Sequence, residues 1–447
     1  MAGDAATWSN WAGNQSATGM ARVHPAGTAA IAEAVATARR AGARVRVAGS
    51  GHSFSSIARP DANTDLPGRP APVHLILDRH AGPVTVDAEQ SLVTVQAGMS
   101  LHRLNQVLQA AGLSMTNLGD IDRQTISGAV STGTHGTGAR FGGLSSQIRA
   151  LELVLADGSV LTCSADQNGD VFAAARVGLG ALGVISTVTL AVEPLFALAA
   201  QEGPVRLDET LDRFDEWAEQ TDHVEFYWFP HTRMTSVKRN RRLPFAPGRL
   251  QPLPRWRAWL DDELLSNTVF GGMVGLGRRV PATIRPTAQL AARALSARSY
   301  TDVSHRVFVS SRRVRFIEME YAVPRPDLLP TLRELVAAVE ASDLRVAFPV
   351  EVRVAAADDI ALSSASGRDT GYLAVHLPAG ADPSRYFALV ESIMARVGGR
   401  PHWGKLHTLD AAMLRERYPQ FDEFLALRDR LDPEGLFRND YLDQVLG

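Results

Sequence analysis

The chain has 447 residues and a mass of 48.2 kDa, with 46 basic against 48 acidic side chains and a formal charge of −2. Only Lys238 and Lys405 among the basic residues are lysines; all the others are arginines. This balance excludes the strong basic excess of a nucleic-acid binder. A content of 45% hydrophobic and 21% charged residues belongs to a globular protein long enough for two or three domains. A lone cysteine, Cys163, excludes an internal disulfide and a cysteine-rich metal site. The opening MAGDAATWSNWAGNQ has neither a charged n-region nor an apolar h-region, so no leader is expected. The most apolar window, residues 181–200, is interrupted by Ser, Thr, Glu193 and Pro194. It reads as a buried strand plus a linker rather than a membrane span, and the expected location is cytoplasmic.

In chain order, residues 28–40 read as a helix closed by Gly42. Residues 44–48 alternate as a strand and run into the small-residue turn GSGHSF, 49–54. HLILD (74–78) and LVTVQAG (92–98) read as strands, and residues 101–111 as a helix ending at Gly112. Residues 117–138 are rich in Gly, Ser and Thr and show almost no regular pattern. Residues 149–164 form a hairpin about Asp157–Gly158, the best short-range turn signal in the chain. A strand is expected at 184–192. Beyond residue 200, aromatic-rich strands at 224–229, 315–323, 347–357 and 372–377 alternate with amphipathic helices near 207–221, 328–342 and 384–397. The Arg- and Pro-rich stretch 238–256 reads as a long loop.

Four segments carry chemistry. In GSGHSF, backbone N–H groups of a turn between glycines suit phosphate oxygens. His52 at its edge fits a base, a ligand, a covalent anchor or an ordinary turn histidine. STGTHGTG (131–138), about 80 residues on, is a second stretch where small residues allow close backbone approach, and the two together point to one extended cofactor held from both sides. Glu351 and Arg353 alternate onto one face of a strand, where they are costly to bury without a partner unless they pair on a solvated face; His376 lies in a similar strand. HWGK, 402–405, holds Lys405, a compact cation in a chain that otherwise uses arginine. GLGALG (178–183) matches a dinucleotide fingerprint, but a helix precedes it and a strand follows. The reversed order argues for a helix-to-strand turn. No zincin, α/β-hydrolase or Walker A motif occurs, and the twelve histidines lack ligand spacing, so no metal is expected.

VRVAGSGHSF, NLGDIDRQTISGAVSTGTHGTG and RPHWGKLHT together resemble the aldonolactone oxidoreductases, vanillyl-alcohol-oxidase-type flavoproteins that include lactone oxidases and dehydrogenases and alditol oxidases. The resemblance runs from about Trp8 to the tail and is closest to the actinobacterial L-gulono-1,4-lactone dehydrogenase branch, with which it shares GDID, EVR and GRDT. It implies an α+β fold: an FAD-binding domain over residues 8–195, a cap with a large antiparallel sheet over 196–400, and a segment, 401–447, returning to the first domain. It implies FAD bound covalently through His52, with Ala48, Gly49, Ser50, Gly51 and Ser53 at the pyrophosphate. Gly119, Asp120, Thr125, Gly128, Ala129, Ser131, Ile185 and Lys405 are implied as further cofactor contacts. Glu351, Arg353, His376 and Lys405 are implied to bind a sugar lactone or polyol and face the flavin, with O2 or another acceptor taking the electrons. Many relatives carry Ser where this chain has Asp120, and some carry Ala where it has Gly119, a position linked to oxygen access. The implied activity is oxidation of L-gulono-1,4-lactone at C2. The rivals are an alditol oxidase, a non-catalytic flavin- or sugar-binding protein and a nicotinamide dehydrogenase.

Overall fold

A computed structural model describes residues 6–61, 70–310 and 312–447; residues 1–5, part of the stretch read for a leader, lie outside it. Four strands, β1 (Ala6–Ser9), β2 (Ser16–Val23), β3 (Val45–Ala48) and β4 (Val73–Ile76), form a mixed sheet in the order β1-β2-β4-β3, in which β4 runs parallel to both β2 and β3. Next come β5 (Pro83–Asp87), β6 (Leu92–Gln96), β7 (Leu113–Ser114), β8 (Ile148–Val154), β9 (Val160–Ser164), β10 (Val184–Ala191) and β11 (Glu193–Pro194). Five of them make an antiparallel sheet, β5-β6-β10-β8-β9, and β7 pairs with β11. The β8–β9 hairpin turns where Gly158 takes φ +84°, while Asp157 accepts hydrogen bonds from the Ser159 backbone and hydroxyl. Helix Thr28–Ala41 buries Ile31, Val35 and Ala38 on one face and stops at the left-handed Gly42.

The third sheet has eight strands, β12 (Phe196–Arg206), β13 (His223–Trp228), β14 (Met234–Pro244), β15 (Arg298–Val303), β16 (Phe316–Pro324), β17 (Val350–Ala355), β18 (Thr370–Pro378) and β19 (Arg400–Pro401), in the order β15-β12-β14-β13-β17-β18-β16-β19. Helices Leu207–Gln220, Leu328–Ala341 and Ser384–Arg396 pack on it. Phe226 meets Phe214 of the first of these helices edge-on at 4.9 Å, so Glu225 and Tyr227, its neighbours on β13, project from the opposite face. By the same alternation Glu351 and Arg353 share one face of β17 while Val350, Val352 and Val354 fill the core. Polar side chains are thus gathered on one face of a sheet whose other face is apolar.

Two expectations change. The window 181–200 holds no linker: after β10 the chain passes through two-residue β11 and enters β12, which is paired on both sides and buries Ala197, Leu198 and Ala200. Pro194 interrupts only the donor pattern, not the extended path. Nor is 238–256 a long loop. Lys238 to Pro244 continue β14, and helical turns occupy 247–249 and 255–258. The basic side chains hide this strand because they use their stems and heads laterally: Arg242 lies 3.9 Å over the Phe196 ring and pairs with Glu193 at 2.7 Å, and Lys238 donates to the Val307 carbonyl. The patternless stretch 117–138 contains a short helix, Ile126–Ser131, capped by Thr125. No helix among the described residues is long and apolar enough to cross a membrane.

Candidate active site

Two compartments meet at His52, the second of them beneath the eight-stranded sheet. The first, about 800 Å³ including its open mouth, is lined by Gly49, Ser50, Gly51, His52, Ser53, Thr125, Gly128, Ser131 and Ile185 among others. The second, about 760 Å³, is lined by Gly119, Asp120, Glu351, Arg353, His376 and Lys405 among others. His52, Ser53, Gln124 and Thr132 line both, so one elongated ligand can pass from one to the other. Of the residues expected at the cofactor, Ala48 and Ala129 line neither compartment: Ala48 ends β3 in the core, and Ala129 is buried in the Ile126–Ser131 helix.

The first compartment is a cradle of backbone. A Cβ on Gly49 would fall 2.1 Å from Thr125 Oγ1, the atom that accepts from Gly128 N at the start of the short helix. Gly51 takes φ +70°. Arg46 lies buried at its floor, donating to the carbonyls of Ile57 and Phe437, with no ion pair among the described residues. Burial pulls its pKa down to about 10, which still leaves it a cation. Bare backbone, room that side chains would fill and a buried positive charge fit a cofactor diphosphate. His52 stands at the junction, Nδ1 3.2 Å from Ser50 Oγ and its ring stacked on Trp11, and burial with nearby Lys405 and Arg123 lowers its pKa.

The second compartment holds two charge networks. In the first, Arg353 donates to Glu225 at 2.8 Å and lies 2.6 Å from Glu351 Oε1, which also accepts from the Tyr227 hydroxyl at 2.5 Å. The register places Tyr227 directly opposite Glu351. Arg312 donates to Asp120 at 2.6 and 3.2 Å and to Tyr227 at 3.3 Å. Burial opposes ionisation of Asp120, but the Arg312 and Arg353 guanidiniums hold its carboxyl far below the usual range. Glu351 moves the other way: burial, reinforced by Asp120 and Glu225, pushes it up to about 8 against the pull of Arg353. Three carboxylates around two guanidiniums leave one that is reluctant to ionise. Glu351 and Arg353 therefore do pair, but buried rather than on a solvated face.

In the second network Lys405 Nζ donates to Glu318 and lies 3.9 Å from Glu320. Burial disfavours its charge, yet the two carboxylates raise its pKa. Glu318 sits opposite His376 in the β16–β18 register, 3.6 Å from its Nε2, and His376 Nδ1 lies 3.1 Å from the Pro349 carbonyl. Glu320 bonds His135 at 3.0 Å, and burial takes His402 down to about 3. Ligand atoms of His135, Glu320 and His402 lie within 4.8 Å of one another, as do those of Glu318, Glu351 and His376. Lys405 already supplies positive charge to both Glu318 and Glu320.

The HWGK segment reaches this place by backbone pairing. His402 N donates to Glu320 O and Leu406 N to Glu318 O, while Phe54 N donates to Gly404 O. The last contact locks the His52 turn to the Lys405 turn, and Lys405 Nζ lies 5.2 Å over the Phe54 ring. The motifs STGTHGTG and HWGK contain His135 and His402 without indicating a role for either, and no motif marks Glu225, Tyr227, Arg312, Glu318 or Glu320. The signal for Glu318 and Glu320 was present: two acids on one face of an otherwise apolar strand, the same pattern as Glu351 and Arg353.

Residues 188–445 match the D-arabinono-1,4-lactone oxidase family, and residues 20–164 match an FAD-binding domain. The chain is 43% identical to the L-gulono-1,4-lactone dehydrogenase of Mycobacterium tuberculosis over 98% of its own length and 99% of that protein. It is 34% identical to the L-gulonolactone oxidase of Bos taurus, with 98% and 97% covered. The chain belongs to the aldonolactone oxidoreductases. The alditol oxidase of a Streptomyces strain is more distant, at 30% identity with 98% of each chain covered. A solvent-stable cholesterol oxidase superposes with a TM-score of 0.82 at 20% identity, covering 99% of this chain and 98% of that one; the shared fold is the vanillyl-alcohol-oxidase-type flavoprotein fold. This aldonolactone oxidoreductase is thus an FAD-dependent enzyme acting on CH–OH donors, and its two compartments suit a dinucleotide cofactor and a polyhydroxylated substrate in series.

Proposed function

We propose that the enzyme oxidises L-gulono-1,4-lactone at C2, towards L-ascorbate. The division into a flavin-binding unit over 8–195 and 401–447 and a cap over 196–400, and a cytoplasmic location, belong to the same reading. The observation that carries it is the meeting of Arg353 and Lys405 in one compartment that His52 joins to the cradle of Gly49 and Thr125. FAD, when bound, supplies the hydride acceptor. Ala48 to Ser53, Thr125, Gly128, Ala129, Ser131 and Ile185 would form or support its cradle, Gly119 and Asp120 would flank it on the substrate side, and His52 would carry it covalently.

The remaining chemistry belongs to the side chains. Arg353 and Lys405 are fixed cations in a water-poor site and stabilise negative charge developing on the substrate oxygen. Glu351 Oε1 is occupied by Tyr227 and Arg353, and Oε2 has no hydrogen-bond partner among the described residues, so Oε2 is the atom that receives a substrate hydroxyl. With a pKa near 8 this carboxyl exchanges a proton close to neutral pH. His376, held by Pro349 and Glu318, orients a further hydroxyl. Asp120 is neutralised by Arg312 and shapes one end of the pocket.

Steady-state rates with L-gulono-1,4-lactone and with xylitol, using O2 and an artificial dye acceptor in turn, test the assignment. Turnover of the lactone is expected. Strong turnover of xylitol with none of the lactone would replace it with the alditol oxidase reading.

A further inference from the structure

Lys238, the lysine outside the HWGK turn, lies in a row of charges that crosses the eight-stranded sheet. The registers place Arg298 of β15 opposite Glu202 of β12, Glu202 opposite Lys238 of β14, and Lys238 opposite Glu225 of β13. One step along the β13–β17 register from Phe226 and Val352, Glu225 meets Arg353. Opposed residues of an antiparallel pair share a face. Five side chains on five adjacent strands therefore alternate in sign from the outer strand β15 inward. On the far side of Arg353 the register meets Tyr372 of β18, and the row stops. Its inner end, Arg353, lines the second compartment.

Every ion in the row is shared between groups of opposite sign. Arg298 Nε lies 2.6 Å from Glu202 Oε2, and its Nη1 faces Asp261 and Asp262. Lys238 Nζ lies 3.8 Å from Glu202 Oε1 and 3.8 Å from Glu225 Oε1, and donates to the Val307 carbonyl at 2.7 Å. Glu225 gives its other oxygen, Oε2, to Arg353 Nε at 2.8 Å, and Arg353 reaches Glu351 at 2.6 Å. None of the five side chains is more than 21% exposed, so salt screens them little. Burial opposes ionisation of Glu202, yet Lys238 and Arg298 hold its carboxyl below the usual range. The chain's two lysines thus share one setting, an ammonium between two glutamates: Lys238 between Glu202 and Glu225, Lys405 between Glu318 and Glu320. A buried row of this kind gives a sheet no more stability than well-packed apolar side chains would. What it does supply is a fixed place for its last member.

We propose that Lys238 is a positioning residue for the reaction: by balancing Glu225 it keeps that carboxylate from drawing Arg353 away from Glu351, and so holds the guanidinium where the substrate oxygen arrives. This rests on the reading of Arg353 as the cation that stabilises developing negative charge. Without Lys238, Arg353 is the remaining ion-pair partner of Glu225 among the described residues. The guanidinium then shifts towards Glu225, and its hold on Glu351 loosens.

The test is the rate of flavin reduction in the purified flavin-loaded protein, followed by stopped flow against substrate concentration. The substrate is whichever of L-gulono-1,4-lactone and xylitol the parent oxidises, so the outcome does not hang on which of the two it is. Lys238→Met is expected to lower the limiting rate about tenfold. Half-saturation should stay within about twofold of the parent, because the lost interaction belongs to the transition state. Glu202→Gln combined with Lys238→Met leaves the net charge unchanged and still deprives Glu225 of its lysine. It should be as slow as Lys238→Met, with bound flavin and circular dichroism verifying the fold. In an Arg353→Lys background, Lys238→Met should cost less than about twofold, since the guanidinium it positions is gone. A parental limiting rate in both Lys238 variants overturns the proposal, as does a loss confined to half-saturation. The same fold-loss in the parent and Arg353→Lys backgrounds also overturns it, marking a structural effect independent of Arg353. Arg353→Lys alone reports on the underlying reading: a parental rate there removes Arg353 from the reaction and the proposal with it. A slow Arg353→Lys beside a parental Lys238→Met refutes the role of Lys238 alone.

Discussion

Buried Glu318 and partly exposed Lys405 form an ion pair across the junction of β16 and the HWGK turn, and neither partner is replaceable alone. Lys405→Met is expected to lower kcat by about 10²–10³-fold, the range for loss of a preorganised group that stabilises developing charge. It should also cost roughly 3–5 kcal/mol of stability, because Glu318 is left as a buried charge with less compensation. Adding Glu318→Gln should recover much of the stability and none of the rate. Thermal melts and steady-state rates on the two variants separate these effects; a single Lys405→Met protein with parental kcat would remove Lys405 from the reaction.

The raised pKa of Glu351 makes a prediction about pH in two directions. Its folded pKa, near 8, lies above the ordinary value of about 4.5, so the native state binds this proton more tightly than the unfolded chain. Its contribution to stability is therefore present below about pH 4.5 and is lost as pH rises towards 8. Activity that needs the carboxylate climbs over the upper part of the same window. Glu351→Gln should flatten the acid-to-neutral slope in melting temperature and lower kcat/KM by about 10²–10⁴-fold. Unchanged pH profiles in that variant would place the titrating group elsewhere.

Gly49 has no room for a side chain beside Thr125. Gly49→Ala is expected to reduce bound FAD, read from the ratio of flavin to protein absorbance, while far-UV circular dichroism stays near parental. Thr125→Val should lose the helix cap, costing about 1 kcal/mol, and also weaken flavin retention. Full flavin content in Gly49→Ala would argue that the cradle is not the cofactor's.

Denatured parent protein is expected to keep its yellow colour and carry the mass of one FAD, whereas His52→Ala should release all flavin on denaturation. Covalent flavin in the His52→Ala protein would move the attachment to another residue.

Much of the site could be read locally, because motifs such as GSGHSF and HWGK are contiguous and Glu351–Arg353 share a strand face. The hairpin at Asp157–Gly158 and the helices over 207–220, 328–341 and 384–396 follow from turn chemistry and period. What could not be read is set by register. Tyr227 meets Glu351, and Glu318 meets His376, only because β13 pairs with β17 and β16 with β18. No local signal encodes those pairings. Arg312 was hidden for another reason: it lies outside a regular element, between β15 and β16, and gains meaning from Asp120, 192 positions away. The strand β14 was masked by its own arginines, whose stems serve as apolar cover.

The HWGK turn is zipped to β16 and to Phe54, Val45 N donates to Leu436 O, and Arg46 donates to Phe437 O. The buried Arg46 under the first compartment is thus held, and the second compartment closed, by residues translated long after the segments they meet. A ribosome must have passed Phe437 before Arg46 has both of its carbonyl partners, and Lys405 before Glu318 has its cation. Cofactor capture in the cell then follows synthesis of this late segment rather than accompanying the first domain's emergence, and a nascent chain stalled near residue 400 should be colourless.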